Sequence, residues 1–323
     1  MTKPQVLVMS PIWPSVLQDL ERHFVVYRLD LAEDKADFLN RLGGNCRAAI
    51  ISGHYTFGEE ELQRLPQLEI LACNTAGFEM IDDSVLRQNG IPFTNASLAL
   101  SDEVADTAVM LTLAARKELV KADAYVRSGE WGAQGPYPLL SSLKGKRAGI
   151  LGLGIIGQEI ANRLQALKLD IGYCTRRRKD NAYRYFPDAV SLANWSDILI
   201  VAVPGGAETE GMIDKSVLSE LGTQGTLINI ARGSVVDEEA LISCLTSGAL
   251  GSAGLDVFLN EPDPDPRLTE LRNVVLYPHH ASGTNETRCA MSQLALNNLI
   301  AHFSGASLIS PVFELDQRNR TIS

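Results

Sequence analysis

Residues 147–169 read RAGILGLGIIGQEIANRLQALKL, with GLGIIG at 152–157 between an apolar, strand-like run and a helical one. A lone GxGxxG is weak evidence, but between a strand and a helix each glycine has a physical reason. Gly152 permits the tight turn, Gly154 lets the backbone approach a pyrophosphate, and Gly157 lets the helix pack closely on its strand. The alternative is a glycine-rich turn without a ligand. About 20 residues on, an NAD site normally carries Asp or Glu to accept from the adenine ribose. Here that position is Cys174, followed by Thr175, Arg176, Arg177, Arg178 and Lys179. A basic run suits a 2′-phosphate through charge-assisted hydrogen bonds, so NADP(H) is expected in preference to NAD(H). The competing readings are a solvated basic turn and, for Cys174, either a thiol made acidic by the arginines or a small residue filling space.

Outward from this turn the same rhythm continues. KRAGILGLG, LDIGYCT, DILIVAVP, TLINIA, LGSAGLDVF and NVVLYPH alternate with periodic segments. Upstream, QVLVMS, FVVYRL, AAIIS, LEILAC and IPFTN do likewise. Both series read as βαβ units on parallel sheets. Between them, residues 97–129 read as one long helix bridging two domains, with an acidic first turn after Ser101. The helical stretch near Asn285–Phe303 leaves too short a tail for another domain, so the tail is expected to return to the first domain and to fray after Phe313. The expected fold is α/β: two Rossmann-like, doubly wound parallel-sheet domains with an active-site cleft between them. Residues 1–98 plus 288–323 would form one domain and 99–287 the dinucleotide-binding domain.

At 323 residues, 45% apolar and 21% charged, the chain can fill two such cores. A net charge of −10 opposes nucleic acid or anionic lipid as a main partner. The five cysteines are dispersed without a CxxC pair, so no disulfide framework or metal site is expected. The start, MTKPQVLVMSPIWP, does not read as a signal peptide, and no run approaches membrane-spanning length. A cytoplasmic, reducing compartment is expected.

Three charged residues stand at the ends of strand-like runs: Arg232 in NIARGSVVDE, Glu261 in GLDVFLNEPDP and His279 in VVLYPHHASGT. Strand carboxyl ends border the ligand crevice of a doubly wound sheet. A guanidinium can hold a 2-oxo acid by its carboxylate, and an imidazolium can protonate the carbonyl oxygen as hydride reaches carbon. A carboxylate beside that histidine would orient the ring and favour its charged form. Taken singly, each is more often an ordinary loop charge; it is the joint pattern that points to chemistry.

With LACNTAGFEMID and ALSDEVADTAV upstream of these motifs, the chain resembles the D-isomer-specific 2-hydroxyacid dehydrogenase family from its first strand to about Pro311. TRRR, the SGT at Ser282 and NLIAHFSG are most similar to its NADPH-preferring glyoxylate/hydroxypyruvate and hydroxyphenylpyruvate reductase branch. The resemblance implies reduction of a small 2-oxo acid to the D-2-hydroxy acid, by an expected homodimer. Arg232 would bind substrate, His279 serve as acid/base and Glu261 as its partner. Backbone amides of Ala76 and Gly77 would take the carboxylate, with Gly53 nearby. Leu153, Gly154, Ile155 and Ile156 would lie at the pyrophosphate, Thr175, Arg176 and Arg177 at the ribose phosphate, Ile230 near the nicotinamide ribose, and Asp256 at the carboxamide. Two departures stand out: His280 replaces the usual Ile or Val after the histidine, and Glu79 replaces a common Asp. His54 and Tyr55 are substrate contacts or plain loop residues; Trp131 is a dimer contact or covers the linker. An arylpyruvate substrate, or a dinucleotide-sensing corepressor or scaffold, remains open; formate and phosphite donors fit poorly.

Overall fold

The computed structural model describes residues 2–315. Its contacts divide the chain into two units, Met1–Leu100 with Gly283–Ser323, and Ser101–Ser282. In the first, five parallel strands form a sheet: β1 (Gln5–Val8), β2 (Val25–Arg28), β3 (Ala48–Ile51), β4 (Ile70–Cys73) and β5 (Phe93–Thr94), in the order β2-β1-β3-β4-β5. Every residue of β3 and β4 is buried, because cores cover both faces and the strands read as unbroken apolar runs. Leu7, Ala49, Leu71 and Phe93 face one core, whereas Val8, Ile50 and Ala72 share the other with Leu20 and Leu299 of the helices Pro14–His23 and Asn285–Ser304.

The chain returns to the first unit after its last helix. Thr94 bridges Pro311 antiparallel, the Val312 amide donates to the Phe93 carbonyl at 2.8 Å, and Phe313 enters the core. Of the tail expected to fray, residues 316–323 lie outside the described residues.

The second unit holds seven parallel strands: β6 (Arg147–Leu151), β7 (Asp170–Cys174), β8 (Arg184–Phe186), β9 (Ile198–Val201), β10 (Thr226–Asn229), β11 (Ser252–Leu255) and β12 (Val274–Leu276). Their order is β12-β11-β10-β9-β6-β7-β8, so the winding reverses between β6 and β9, the switch point where ligands bind in such sheets.

The structure corrects two expectations. The three-residue edge strand β8 was not anticipated. It pairs where Gly172 leaves room, since a Cβ there would come within 2.5 Å of the Trp195 ring. The long helix expected over 97–129 is three: Ser97–Arg116, Leu119–Arg127 and Glu130–Gln134. It begins four residues before Ser101 and breaks at Glu118, whose φ is 48°. The Glu118 carboxylate pairs with Lys121 at 3.0 Å and accepts the Tyr137 hydroxyl at 2.8 Å, contacts that hold the left-handed turn against its strain.

Candidate active site

Arg232, Glu261 and His279 all lie beyond the carboxyl ends of three neighbouring strands, β10, β11 and β12. Beyond β10 the Asn229 side chain folds the turn, its amide donating to the Arg232 carbonyl at 2.9 Å and its oxygen accepting the Ala231 N–H at 3.0 Å. Arg232 is anchored by one guanidinium nitrogen, which donates to the Ala231 carbonyl at 2.6 Å. The next residue must be small: a Cβ on Gly233 would sit 2.0 Å from the Phe258 carbonyl. That contact locks the arginine turn to the loop carrying Glu261.

Glu261 uses both oxygens. Oε1 accepts the Phe258 N–H at 2.9 Å, and Oε2 bonds His279 Nδ1 at 2.5 Å. The carboxylate at Nδ1 takes that nitrogen's hydrogen bond and orients the ring. The histidine is presented by Asp256, just past β11 and 1% exposed. Its carbonyl accepts the His279 N–H at 2.7 Å, while its carboxylate accepts the amides of His280 at 2.7 Å and Ala281 at 3.1 Å. Burial pushes the Asp256 carboxyl above its ordinary range despite those donors. His280 is exposed, and its ring stands edge-on to Tyr277 at 5.9 Å.

At the switch point, Gly152 has φ 95° and a Cβ on it would meet the Ala202 carbonyl at 2.6 Å. A Cβ on Gly157 would lie 2.1 Å from the Gly152 carbonyl, whereas one on Gly154 would meet nothing within 4 Å. The turn is thus closed around Gly152 and Gly157 and open at Gly154, the N-cap of the helix Ile155–Ala166, which provides no capping side chain. Leu153, Ile155 and Ile156 surround that open N-terminus, a natural seat for a pyrophosphate. The residues present therefore fit a dinucleotide.

At the end of β7, Cys174 is buried, and burial pushes its thiol up; the alternative of an acidified thiol is overturned because the arginines extend into solvent while the sulfur does not. Thr175 Oγ1 donates to the Arg177 carbonyl at 2.7 Å, and Arg176 pairs with Glu208 at 3.2 Å. Sequence reading missed the Tyr173 hydroxyl, which accepts the Lys179 amide at 2.8 Å and clasps the basic turn, and Lys179 Nζ, which donates to the Leu153 carbonyl of the glycine turn. Ile230 is buried beside Arg232's turn.

In the first unit, Gly53 meets the Ala76–Gly77 loop. A Cβ on Gly53 would overlap the Gly77 carbonyl at 1.8 Å, and its amide donates to Thr75 Oγ1 at 2.8 Å. The Ala76 carbonyl accepts from Asn95 at 3.0 Å, whereas the Ala76 and Gly77 amides meet no acceptor among the described residues. Lys35 covers Tyr55 and bonds its hydroxyl. Glu79 is exposed.

A glycine-rich turn at the switch point, with an Arg and a Glu–His pair at neighbouring strand ends, defines a nicotinamide-dinucleotide oxidoreductase. Residues 109–281 match the model of the D-isomer specific 2-hydroxyacid dehydrogenase, NAD binding domain. The chain is 43% identical to glyoxylate/hydroxypyruvate reductase A HPR2 of Arabidopsis thaliana over 95% of its own length and 98% of the relative's. It is 41% identical to hydroxyphenylpyruvate reductase of Plectranthus scutellarioides over the same shares. An NADPH-dependent glyoxylate/hydroxypyruvate reductase from Sinorhizobium meliloti, solved with NADP and malonate, superposes with a TM-score of 0.86 at 39% identity, covering 99% of this chain and 100% of that one. The chain belongs to the D-isomer specific 2-hydroxyacid dehydrogenase family.

Proposed function

We propose that the chain reduces a small 2-oxo acid of the glyoxylate/hydroxypyruvate type to the D-2-hydroxy acid, with NADPH preferred over NADH. The observation that carries this reading is the Glu261–His279 hydrogen bond at a strand end beside that of Arg232. The Arg232 fork holds the substrate's carboxylate and carbonyl, and the amides of Ala76 and Gly77 take the carboxylate, with Gly53 kept side-chain-free against their loop. His279 Nε2–H donates the proton to the carbonyl oxygen while Glu261, bonded at Nδ1, fixes the ring. Asp256 holds the turn on which the histidine stands. When bound, the nicotinamide cofactor supplies the hydride. Leu153 to Ile156 would hold its pyrophosphate, Thr175, Arg176 and Arg177 its ribose phosphate, Ile230 its ribose, and Asp256 its carboxamide.

The preference for NADP(H) is supported by the exposed arginines where an acid would stand, and by the NADP complex of the Sinorhizobium relative. On this reading the unit with the five-stranded sheet binds substrate and the other binds the dinucleotide. Leu119, Val120, Val126, Trp131 and Leu139 are all more than half exposed, an apolar face that a second copy of the chain would cover in a homodimer. All five cysteines are free thiols, as suits a reducing, cytoplasmic setting. No helix among the described residues is long and apolar enough to cross a membrane.

The test is NADPH oxidation across glyoxylate, hydroxypyruvate and hydroxyphenylpyruvate. Turnover fastest on the first two supports the reading, and fastest on the third moves the substrate to the arylpyruvate class. Cofactor binding without turnover on any overturns the enzymatic reading in favour of a dinucleotide sensor.

A further inference from the structure

The amino ends of the seven-stranded sheet lie opposite the ends that carry Arg232, Glu261 and His279. Where the starts of β11 and β12 and the turn before β10 meet the end of the helix Ser97–Arg116, a cavity of about 300 Å³ opens, at the lower end of the size range of small-molecule sites. Arg116, Lys121 and Arg272 line it with a single carboxylate, Glu118, whose oxygens are already taken by Lys121 and the Tyr137 hydroxyl. In a chain of net charge −10, this wall has a surplus of cations.

Arg116 decides what the surplus is for. Its Nη1 donates to the Gln224 carbonyl at 2.8 Å and to Thr226 Oγ1 at 3.4 Å, which fixes one edge of the guanidinium. The other edge is unpaired: Nε is buried without an acceptor, and among the described residues Nη2 donates to none. This is the edge that Arg28 turns to Asp30 and Arg47 to Glu69, in each case with Nε on one carboxylate oxygen and Nη2 on the other. Among the described residues no carboxylate contacts Arg116. Burial pushes its pKa below the ordinary value, and the charge of Asp197 offsets only part of that. A partly desolvated donor pair is costly to leave unmade, and its fixed geometry matches a carboxylate in two parallel bonds. Val120 and Leu139, both more than half exposed, supply apolar surface beside it. An inorganic anion would gain nothing from them, whereas an organic acid with an apolar body would cover them.

We propose that this cavity binds a small organic carboxylate, with the acid on the Nε–Nη2 edge of Arg116 and an apolar body against Val120 and Leu139. The site stands at the opposite end of the sheet from the proposed chemistry and does not depend on that reading. Val120 and Leu139 also belong to the face read above as a homodimer contact, so ligand and second copy would share one rim.

The probe is benzoate, titrated into the full chain without cofactor or 2-oxo acid and followed by NMR, with neutral benzamide and inorganic phosphate as comparisons. The wild type is expected to bind benzoate at least about tenfold more tightly than either. Arg116→Lys keeps a charge and a donor for the Gln224 carbonyl but loses the fork, and should weaken benzoate about tenfold. Arg232→Gln separates the two candidate carboxylate sites. Affinity that survives Arg232→Gln and falls in Arg116→Lys supports the proposal; affinity lost only in Arg232→Gln assigns benzoate to the proposed active site and overturns it. Benzamide or phosphate binding as tightly as benzoate overturns the choice of an organic acid. Should Arg116→Lys fail to fold, the wild type decides alone: benzoate should shift the amide resonances of Gln224 and Arg272 and leave that of Gly233 in place, and the reverse pattern overturns the site. A wild type that binds no benzoate also overturns it, and if Arg116→Lys then dissociates a dimer, the fork passes to a carboxylate of the second copy.

Discussion

His279 holds its backbone at φ 48°, a left-handed conformation that costs a non-glycine residue about 1–2 kcal/mol. Two hydrogen bonds from main-chain amides offset the strain: its own amide to the Asp256 carbonyl, and the His280 amide to the Asp256 carboxylate. The consequence is directional, because Glu261 reaches the ring of His279 while His280 turns its ring to Tyr277. Loss of the imidazole in His279→Ala should lower kcat by about 10²–10⁴-fold while NADPH binding, followed by fluorescence titration, is retained. Glu261→Gln keeps a hydrogen-bond acceptor but removes the charge, so its loss should be smaller and fall in kcat more than in KM. His280→Ala should retain most turnover. If His280→Ala is the inactive variant and His279→Ala the active one, the proton donor has been assigned to the wrong ring.

At the scale of elements, the start of β6 is tied to the start of β9 by one carboxylate. Asp197 accepts the Arg147 amide at 2.9 Å and its guanidinium at 3.1 Å, and Lys146 at 3.3 Å. Burial alone would raise this carboxyl, but the Arg147 and Lys146 contacts outweigh it and hold the group below its usual range. A depressed native value means that the ionised form stabilises the fold. The contribution is therefore complete above the ordinary aspartate value of about 3.9 and lost as pH falls through the lower native one. Urea unfolding should show Asp197→Asn weaker than wild type by about 1 kcal/mol near neutral pH, the figure kept small by solvent screening, with the gap closing in acid. A gap that is constant with pH would show that charge plays no part. The same elements show what sequence could convey. The glycine turn was legible because its demands are local to six residues. The break at Glu118 was not, because what holds it is Tyr137, 19 positions on. Nor was β8, a three-residue edge strand beside Gly172, where the Trp195 and Phe186 rings fill the space a side chain would take. Arg232, Glu261 and His279 could be placed at strand ends from the rhythm of the chain. The Asp256 clasp behind His279 could not, since it depends on the register of β11 and β12.

For the molecule as a whole, cofactor choice should register in stability as well as in rate. A ligand that binds only the native state stabilises it by an amount set by its concentration relative to its dissociation constant, about 2.7 kcal/mol at a hundredfold excess. For a unit the size of Ser101–Ser282, at about 2–4 °C per kcal/mol, that corresponds to a rise of roughly 5–11 °C in Tm. The elements proposed to hold the cofactor, the turn at 152–157 and the basic run after Cys174, lie wholly within that unit, so it is the transition of that unit that should move. Among the described residues Arg176 pairs with Glu208 across open solvent, a pairing worth little that a doubly charged 2′-phosphate can displace. NADP⁺ should therefore raise Tm more than NAD⁺ at equal concentration, and added salt should shrink the difference because the extra contacts are exposed charges. In the double variant Arg176→Ala, Arg177→Ala the two cofactors should give the same, smaller shift, since only the phosphate contacts have been removed. Differential scanning calorimetry of the full chain measures all of these. Equal shifts by NADP⁺ and NAD⁺ in wild type would refute the preference for the phosphorylated cofactor, and a difference that persists in the double variant would place its origin outside these two arginines.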